Sequence, residues 1–274
     1  MEKVNLRNQV YGVDFSGASD AGKKIWLARG IIEGDSPRIE WCQRGDCLPG
    51  SGKRRDRCLV ALRELIGKAT AAVFGLDFPF GLPQALVAQE DWESFVLSFP
   101  ERYPSPGAFR HLCREAAGGR ELRRATDRES RTPFSPYNLR LYRQTYFGLR
   151  DVLHPLVRDG RASVLPMQRA LPDRAWLLEI CPASTLKREG RYRPYKGRTD
   201  EHRAARASIL EQLEAADTVS IPDHDVRSAV LEDRGGDALD SVIAALAAFR
   251  ALRAPTPFTV EDHDTYALEG YVYV

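Results

Sequence analysis

Three times in this chain an apolar run ends on a carboxylate and is then broken. In VYGVDFSGA, Val10, Tyr11 and Val13 lead to Asp14 and then to Ser16-Gly17-Ala18. In AAVFGLDFPFG, Val73, Phe74 and Leu76 lead to Asp77, with Pro79 as the breaker. In AWLLEICPA, Trp176, Leu177 and Leu178 lead to Glu179, with Pro182 behind it. Continuous apolar runs bounded by Gly and Pro predict strands buried on both faces of a parallel sheet. An acid at the C-terminal end of such a strand lies where open α/β sheets hold ligands. If the strands are neighbours, a strand spacing of ~4.8 Å sets their carboxylates roughly 5–10 Å apart. Acids gathered so closely repel one another unless a cation neutralises them, so the pattern predicts a divalent-metal site.

The rest of the chain supplies a frame for these strands. KKIWLARGIIE and PRIEWCQRG read as two further strands, with turns at Gly22-Lys23 and Gly34-Asp35-Ser36-Pro37. Strands joined so tightly pair antiparallel. Residues 53–69 read as a helix with Leu59, Leu62, Leu65 and Ile66 on one face. Such a crossover lets the Asp77 strand lie parallel beside the Asp14 strand.

Residues 83–170 read as a helical insertion, with helices expected at 84–98, 107–117 and 138–158. Between them GGRELRRATDRESRTPFSPYN is too polar for a core. A helix at 200–216 opens on Thr199-Asp200, both good caps. Residues 218–236 are expected to be irregular. GGDALDSVIAALAAFRAL carries the clearest helical stripe, through Leu239, Val242, Ile243, Leu246 and Phe249. The tail TYALEGYVYV ends as a short strand, and residues 1–274 are expected to form a single domain.

Charge and composition exclude some classes. A net charge of +2 over 274 residues announces no general affinity for nucleic acid, although Arg is concentrated mid-chain. No stretch has the length of a membrane span, and MEKVNLRNQV lacks the apolar core of a signal peptide. A cytoplasmic protein that avoids membranes is therefore expected. The 5 cysteines fit reduced thiols, and the spacing of Cys42, Cys47 and Cys58 is not that of a zinc knuckle.

Antiparallel strands, a helix, an acidic strand, a helical region, a second acidic strand and a final helix bearing DxxD resemble the ribonuclease H-like fold. That fold is a mixed five-stranded sheet of order 3-2-1-4-5 flanked by helices, and the insertion would fall between strands 4 and 5. GVDFSGA, GLDFPFGLP, LLEICPAS and GDALDSVIAALAA together resemble the predicted nucleases of the domain-of-unknown-function family 429. The resemblance implies Mg²⁺ or Mn²⁺ and metal-dependent hydrolysis of phosphodiesters in DNA or RNA. Two ions ~3.5–4 Å apart would clamp the attacking and leaving oxygens. Asp14 would be the bridging ligand, Asp77 the ligand of the second strand, and Asp237 or Asp240 the ligand of the helix. With Glu179, the acids Asp14, Asp77 and Asp240 form the expected catalytic set.

Each residue also has a plainer reading. Asp14 and Asp77 are turn-starting acids in form, and Glu179 has Lys187 or Arg191 available as an ion-pair partner. Asp237 sits where an acid caps a helix, whereas Asp240, one turn further in, has no capping role. The basic loop 187–198 is suited to a phosphate backbone through Lys187, Arg191, Lys196 and Arg198, with Tyr192 and Tyr195 as stacking platforms and Ser16 beside the first acid. The triplets Asp223-His224-Asp225 and Asp262-His263-Asp264 fall in Pro-containing segments and read as exposed loops. Two rival functions stand: an actin-like phosphotransferase or ATP-binding protein, which shares the strand order, and a non-catalytic nucleic-acid binder. A homodimer is left open as an assembly.

Overall fold

The acid-ending runs become neighbouring strands of one sheet in a computed structural model, which describes residues 7–216, 218–254, 258, 260 and 263–274. The strands are β1 (Gln9–Asp14), β2 (Trp26–Glu33), β3 (Ser36–Arg44), β4 (Ala72–Asp77), β5 (Ala162–Leu165), β6 (Ala175–Ile180) and β7 (Val272–Tyr273). Their order is β3-β2-β1-β4-β6-β5, with β7 pairing to β6. The first three strands pair antiparallel; β4, β5, β6 and β7 extend the sheet by parallel pairing.

The sheet therefore has two strands more than the five expected. β5 lies inside the segment read as all-helical, and it is a four-residue buried run between Gly160 and Pro166. It follows the grammar of the other strands but is too short to stand out and carries no acid. The short tail strand β7 adds the other pairing.

Helix α1 (Arg55–Lys68) makes the expected crossover. The insertion contributes α2 (Trp92–Arg102), α3 (Pro106–Ala116), α4 (Ala125–Glu129), α5 (Tyr142–Gly148) and α6 (His154–Arg158), the last two joined by a π-helical turn at Leu149–Leu153. The helix expected at 84–98 starts later because Asp91 caps α2, its carboxylate accepting from Ser94 N–H at 2.8 Å. Beyond β6 come α7 (Pro182–Arg188), α8 (Asp200–Ala215), α9 (His224–Glu232), α10 (Asp237–Arg253) and α11 (His263–Glu269). Helix α9 falls in the stretch expected to be irregular. Asp223 caps it through the N–H groups of Asp225 and Val226, which accounts for one DHD triplet. In the other, Asp262 lies outside the described residues. Among the described residues no helix is long and apolar enough to cross a membrane.

Alternation along the strands sorts the side chains into two layers. Tyr11, Val13, Phe74, Leu76 and Leu177 face α1 and the insertion, packing with Leu59, Leu62, Phe99 and Tyr146. Val10 faces α8 and α10, packing with Ile209, Leu239, Val242 and Leu246. Val73, Leu178 and Ile180 lie on that side too, against Ala244 and Ala248.

Helix α10 lies unusually close to the sheet. A Cβ on Gly12 would fall 1.9 Å from the Ser241 carbonyl oxygen, and one on Gly75 would fall 2.5 Å from that of Ala244. Two glycines in the central strands and an alanine-rich helix face are what permit this approach.

Candidate functional site

Parallel register and the close helix bring the acids together. Asp14 pairs in register with Asp77, so both side chains leave the sheet on the α10 side. Helix α10 begins at the same end, after Gly236 turns the chain at φ 75°. Its first N–H groups are capped by Asp233, whose carboxylate accepts from Asp237 N–H at 2.7 Å and Ala238 N–H at 3.1 Å. The capping role considered for Asp237 thus belongs to Asp233, and the Asp237 carboxylate is left for the site. Asp14, Asp237 and Asp240 each offer an oxygen within 4.8 Å of the others.

These acids are costly to ionise. Burial, then repulsion from Asp240, pushes the Asp14 carboxyl well above its ordinary range, with Lys196 pulling the other way. Burial and Asp240 likewise push Asp77 up to about 8. Asp240 is itself raised by burial, against the pull of Lys196 and Tyr195. Burial and the charge of Asp77 push the neighbouring Cys181 thiol up to about 12, which leaves it a poor nucleophile at neutral pH.

Two residues expected to meet substrate are in contact with the acids. The Tyr195 hydroxyl donates to Asp240 Oδ1 at 2.5 Å, and Tyr195 is 2% exposed, so it offers no stacking platform. Lys196 Nζ lies 2.5 Å from Asp240 Oδ2 and 3.2 Å from Asp237 Oδ1. The buried Arg206 guanidinium holds this part of the loop by donating to the Tyr195 carbonyl at 2.7 Å and the Leu231 carbonyl at 2.8 Å. Arg191 pairs with Glu189, which also takes Arg250. Lys187, Tyr192 and Arg198 are exposed, with the Lys187 ammonium 5.3 Å from the centre of the Tyr192 ring. Ser16 closes a local turn, its hydroxyl accepting from Ala18 N–H at 3.3 Å.

Glu179 takes the other face of the sheet. It pairs in register with Leu76, one step short of Asp77, and so leaves the sheet on the opposite face. There Arg124 grips both its carboxylate oxygens, one of them at 2.8 Å, and Phe80 N–H donates at 2.8 Å. Arg124 also donates to both oxygens of Asp127, at 2.7 and 3.1 Å. Burial works against the charged guanidinium, but Asp127 and Glu179 outweigh it and hold Arg124 charged. Every oxygen of Glu179 is thereby engaged, and neither Lys187 nor Arg191 is its partner. Arg124 lies in a stretch whose polarity argued against burial; its one signal is an acid at i+3, Asp127.

The strand ends open into a cleft of about 520 Å³ whose walls include Asp77, Asp240, Lys196, Tyr192, Phe134 and Arg140, and also the Glu179–Arg124–Asp127 group. Phe134 and Arg140 come from the insertion and line the same cleft as Asp77 and Asp240, with the Arg140 guanidinium 5.5 Å from the Phe134 ring. The donor set on the core side is carboxylate oxygen throughout, which suits hard divalent cations such as Mg²⁺ and Mn²⁺ rather than soft ones.

No curated protein and no solved structure matches the chain. A family model described as a protein of unknown function, DUF429, matches residues 12–263, a span that contains Asp14, Asp77, Asp237 and Asp240. The chain belongs to the DUF429 family.

Proposed function

We propose that the protein is a metal-dependent hydrolase of phosphodiesters in nucleic acid, built on a ribonuclease H-like core. The observation that carries this reading is the convergence of Asp14, Asp237 and Asp240, with Asp77 in register beside them, next to a cleft at the carboxyl ends of parallel strands. Four buried or half-buried carboxylates face one ammonium there, and that imbalance favours a bound divalent cation. Asp14, Asp237 and Asp240 would hold it, with Asp77 adjacent. Mg²⁺ or Mn²⁺ at that position would supply Lewis-acid activation of a phosphodiester.

The protein's own groups set the rest. Tyr195 fixes the orientation of the Asp240 carboxylate by its hydrogen bond. Arg140 in the cleft and the exposed Lys187 and Arg198 are suited to phosphate oxygens, while Tyr192 and Phe134 offer ring faces to a base. A cleft of about 520 Å³ is large enough to take a nucleotide of a nucleic-acid strand. The thiols of Cys42, Cys47, Cys58, Cys113 and Cys181 are all unpaired, which supports a reducing, cytoplasmic setting.

The test is Asp14→Asn. It should abolish Mn²⁺ binding measured by calorimetry and cleavage of a labelled oligonucleotide, while the melting temperature holds or rises because repulsion is relieved. Unchanged Mn²⁺ affinity would sink the metal site. An ATP titration run alongside separates this reading from a phosphotransferase.

A further inference from the structure

One contact at the acids goes beyond their number. The Lys196 ammonium sits between Asp240 and Asp237, 2.5 and 3.2 Å from their oxygens, where a cation would be wanted. Its side chain is 49% exposed, while that of Asp240 is 4% exposed. The backbone on either side is fastened: Tyr195 by Arg206, and Gly197 by its N–H donating to the Arg234 carbonyl at 2.9 Å. The ammonium therefore rides on a four-carbon stem that reaches open solvent, attached to a main chain that has no need to move. Lys196 also lines the cleft that holds Arg140 and Tyr192.

Two cations cannot share these oxygens cheaply. Like charges a few ångströms apart repel, and a divalent ion doubles the repulsion that a single ammonium meets. We propose that Lys196 is a tethered counter-ion that occupies the acid cluster in the metal-free protein and is displaced into the cleft by the arriving divalent cation, where its ammonium meets a substrate phosphate. This rests on the metal-dependent reading above. One residue then does two jobs in sequence, holding the acids together before loading and the anionic substrate after it. Metal and phosphate binding become linked, because the cation that the acids release is the one the phosphate receives.

The experiment is a Mn²⁺ titration by calorimetry of wild type, Lys196→Met and Lys196→Arg, with melting curves of each. Lys196→Met removes the competitor and should tighten Mn²⁺ by roughly tenfold or more while lowering the metal-free melting temperature. Lys196→Arg keeps a cation in place and should bind Mn²⁺ no tighter than wild type. If Lys196→Met binds Mn²⁺ no tighter than wild type, the counter-ion role is wrong while the metal site stands. If neither binds Mn²⁺, the metal reading falls and this proposal with it. A measurement on the unaltered protein guards against a misfolded variant. Acetylation of Lys196 by acetic anhydride, followed by mass spectrometry, should speed up severalfold on adding Mn²⁺, and labelling that stays the same or slows overturns the displacement.

Discussion

The two faces of the sheet answer the same problem in opposite ways. Each receives carboxylates from the ends of apolar strands, and each buries them. On the insertion side, Glu179 and Asp127 share Arg124, which meets both oxygens of each, and a backbone N–H adds to Glu179. On the α10 side, among the described residues, Asp14, Asp77, Asp237 and Asp240 have one half-exposed ammonium and one tyrosine hydroxyl among them. The first arrangement is closed, with no oxygen left over. The second is short of positive charge, and its acids are relieved by holding protons or, on the reading proposed above, by a bound cation. A single step of register, Glu179 opposite Leu76 while Asp14 lies opposite Asp77, decides which kind of site an acid joins.

That contrast can be broken most forcefully at Arg124. Arg124→Met leaves Glu179 and Asp127 buried without a cation and should cost about 3–5 kcal/mol in urea unfolding, with no effect on Mn²⁺ affinity per folded molecule. A loss below about 1 kcal/mol would mean that the pair is not the closed structural unit described.

The pH dependence of stability sharpens the other side. Asp77 has its carboxyl raised from 3.8 to about 8 in the folded protein, so between those values the folded state binds a proton that the unfolded chain releases. Stability of the metal-free protein should therefore fall as pH rises through that window, by at most about 1.4 kcal/mol per unit for one group. Asp77→Asn should lessen the slope of the melting temperature between pH 5 and 8, with Asp14 and Asp240 supplying the remainder. A metal-free wild type whose melting temperature is level over this range would show that the acids are not in deficit. The smallest effect belongs to Tyr195→Phe, which removes one hydrogen bond from Asp240 and should cost about 1 kcal/mol. A loss as large as that of Arg124→Met would make the two faces alike.

The strand–acid pattern was legible because burial on both faces forces apolar continuity, and an acid ending such a run stands out. The adjacency of the Asp14, Asp77 and Glu179 strands, the crossover helix and the helix carrying Asp237 and Asp240 were all readable on that basis. Which face Glu179 would use was not, since register depends on how strands align in space and not on either strand alone. Arg124 was hidden for a related reason: its burial depends on three acceptors, Asp127, Glu179 and the Glu269 carbonyl, two of them far along the chain. Tyr195 and Lys196 read as nucleic-acid contacts because a basic loop with interleaved tyrosines has the composition of one. Only the fold reveals that part of this loop turns inward to the acids.

The partners of Arg124 also set an order of events during synthesis. Its guanidinium needs Glu179 and the carbonyl of Glu269, and the Glu269 carboxylate in turn accepts from Gln84 N–H and Ala125 N–H at 2.7 Å each. A chain emerging from the ribosome has the whole insertion in solution roughly a hundred residues before α11 appears, at ~5–20 residues per second. During those seconds Arg124 has Asp127 and Glu179 but not the Glu269 carbonyl, and the insertion lacks the two N–H contacts to the Glu269 carboxylate, so its attachment should be weaker. The wall of the cleft that carries Phe134 and Arg140 should therefore gain its last fastenings late in synthesis. Nascent chains stalled before residue 263 should remain open to protease between residues 118 and 138, and those stalled with α11 outside the exit tunnel should be protected.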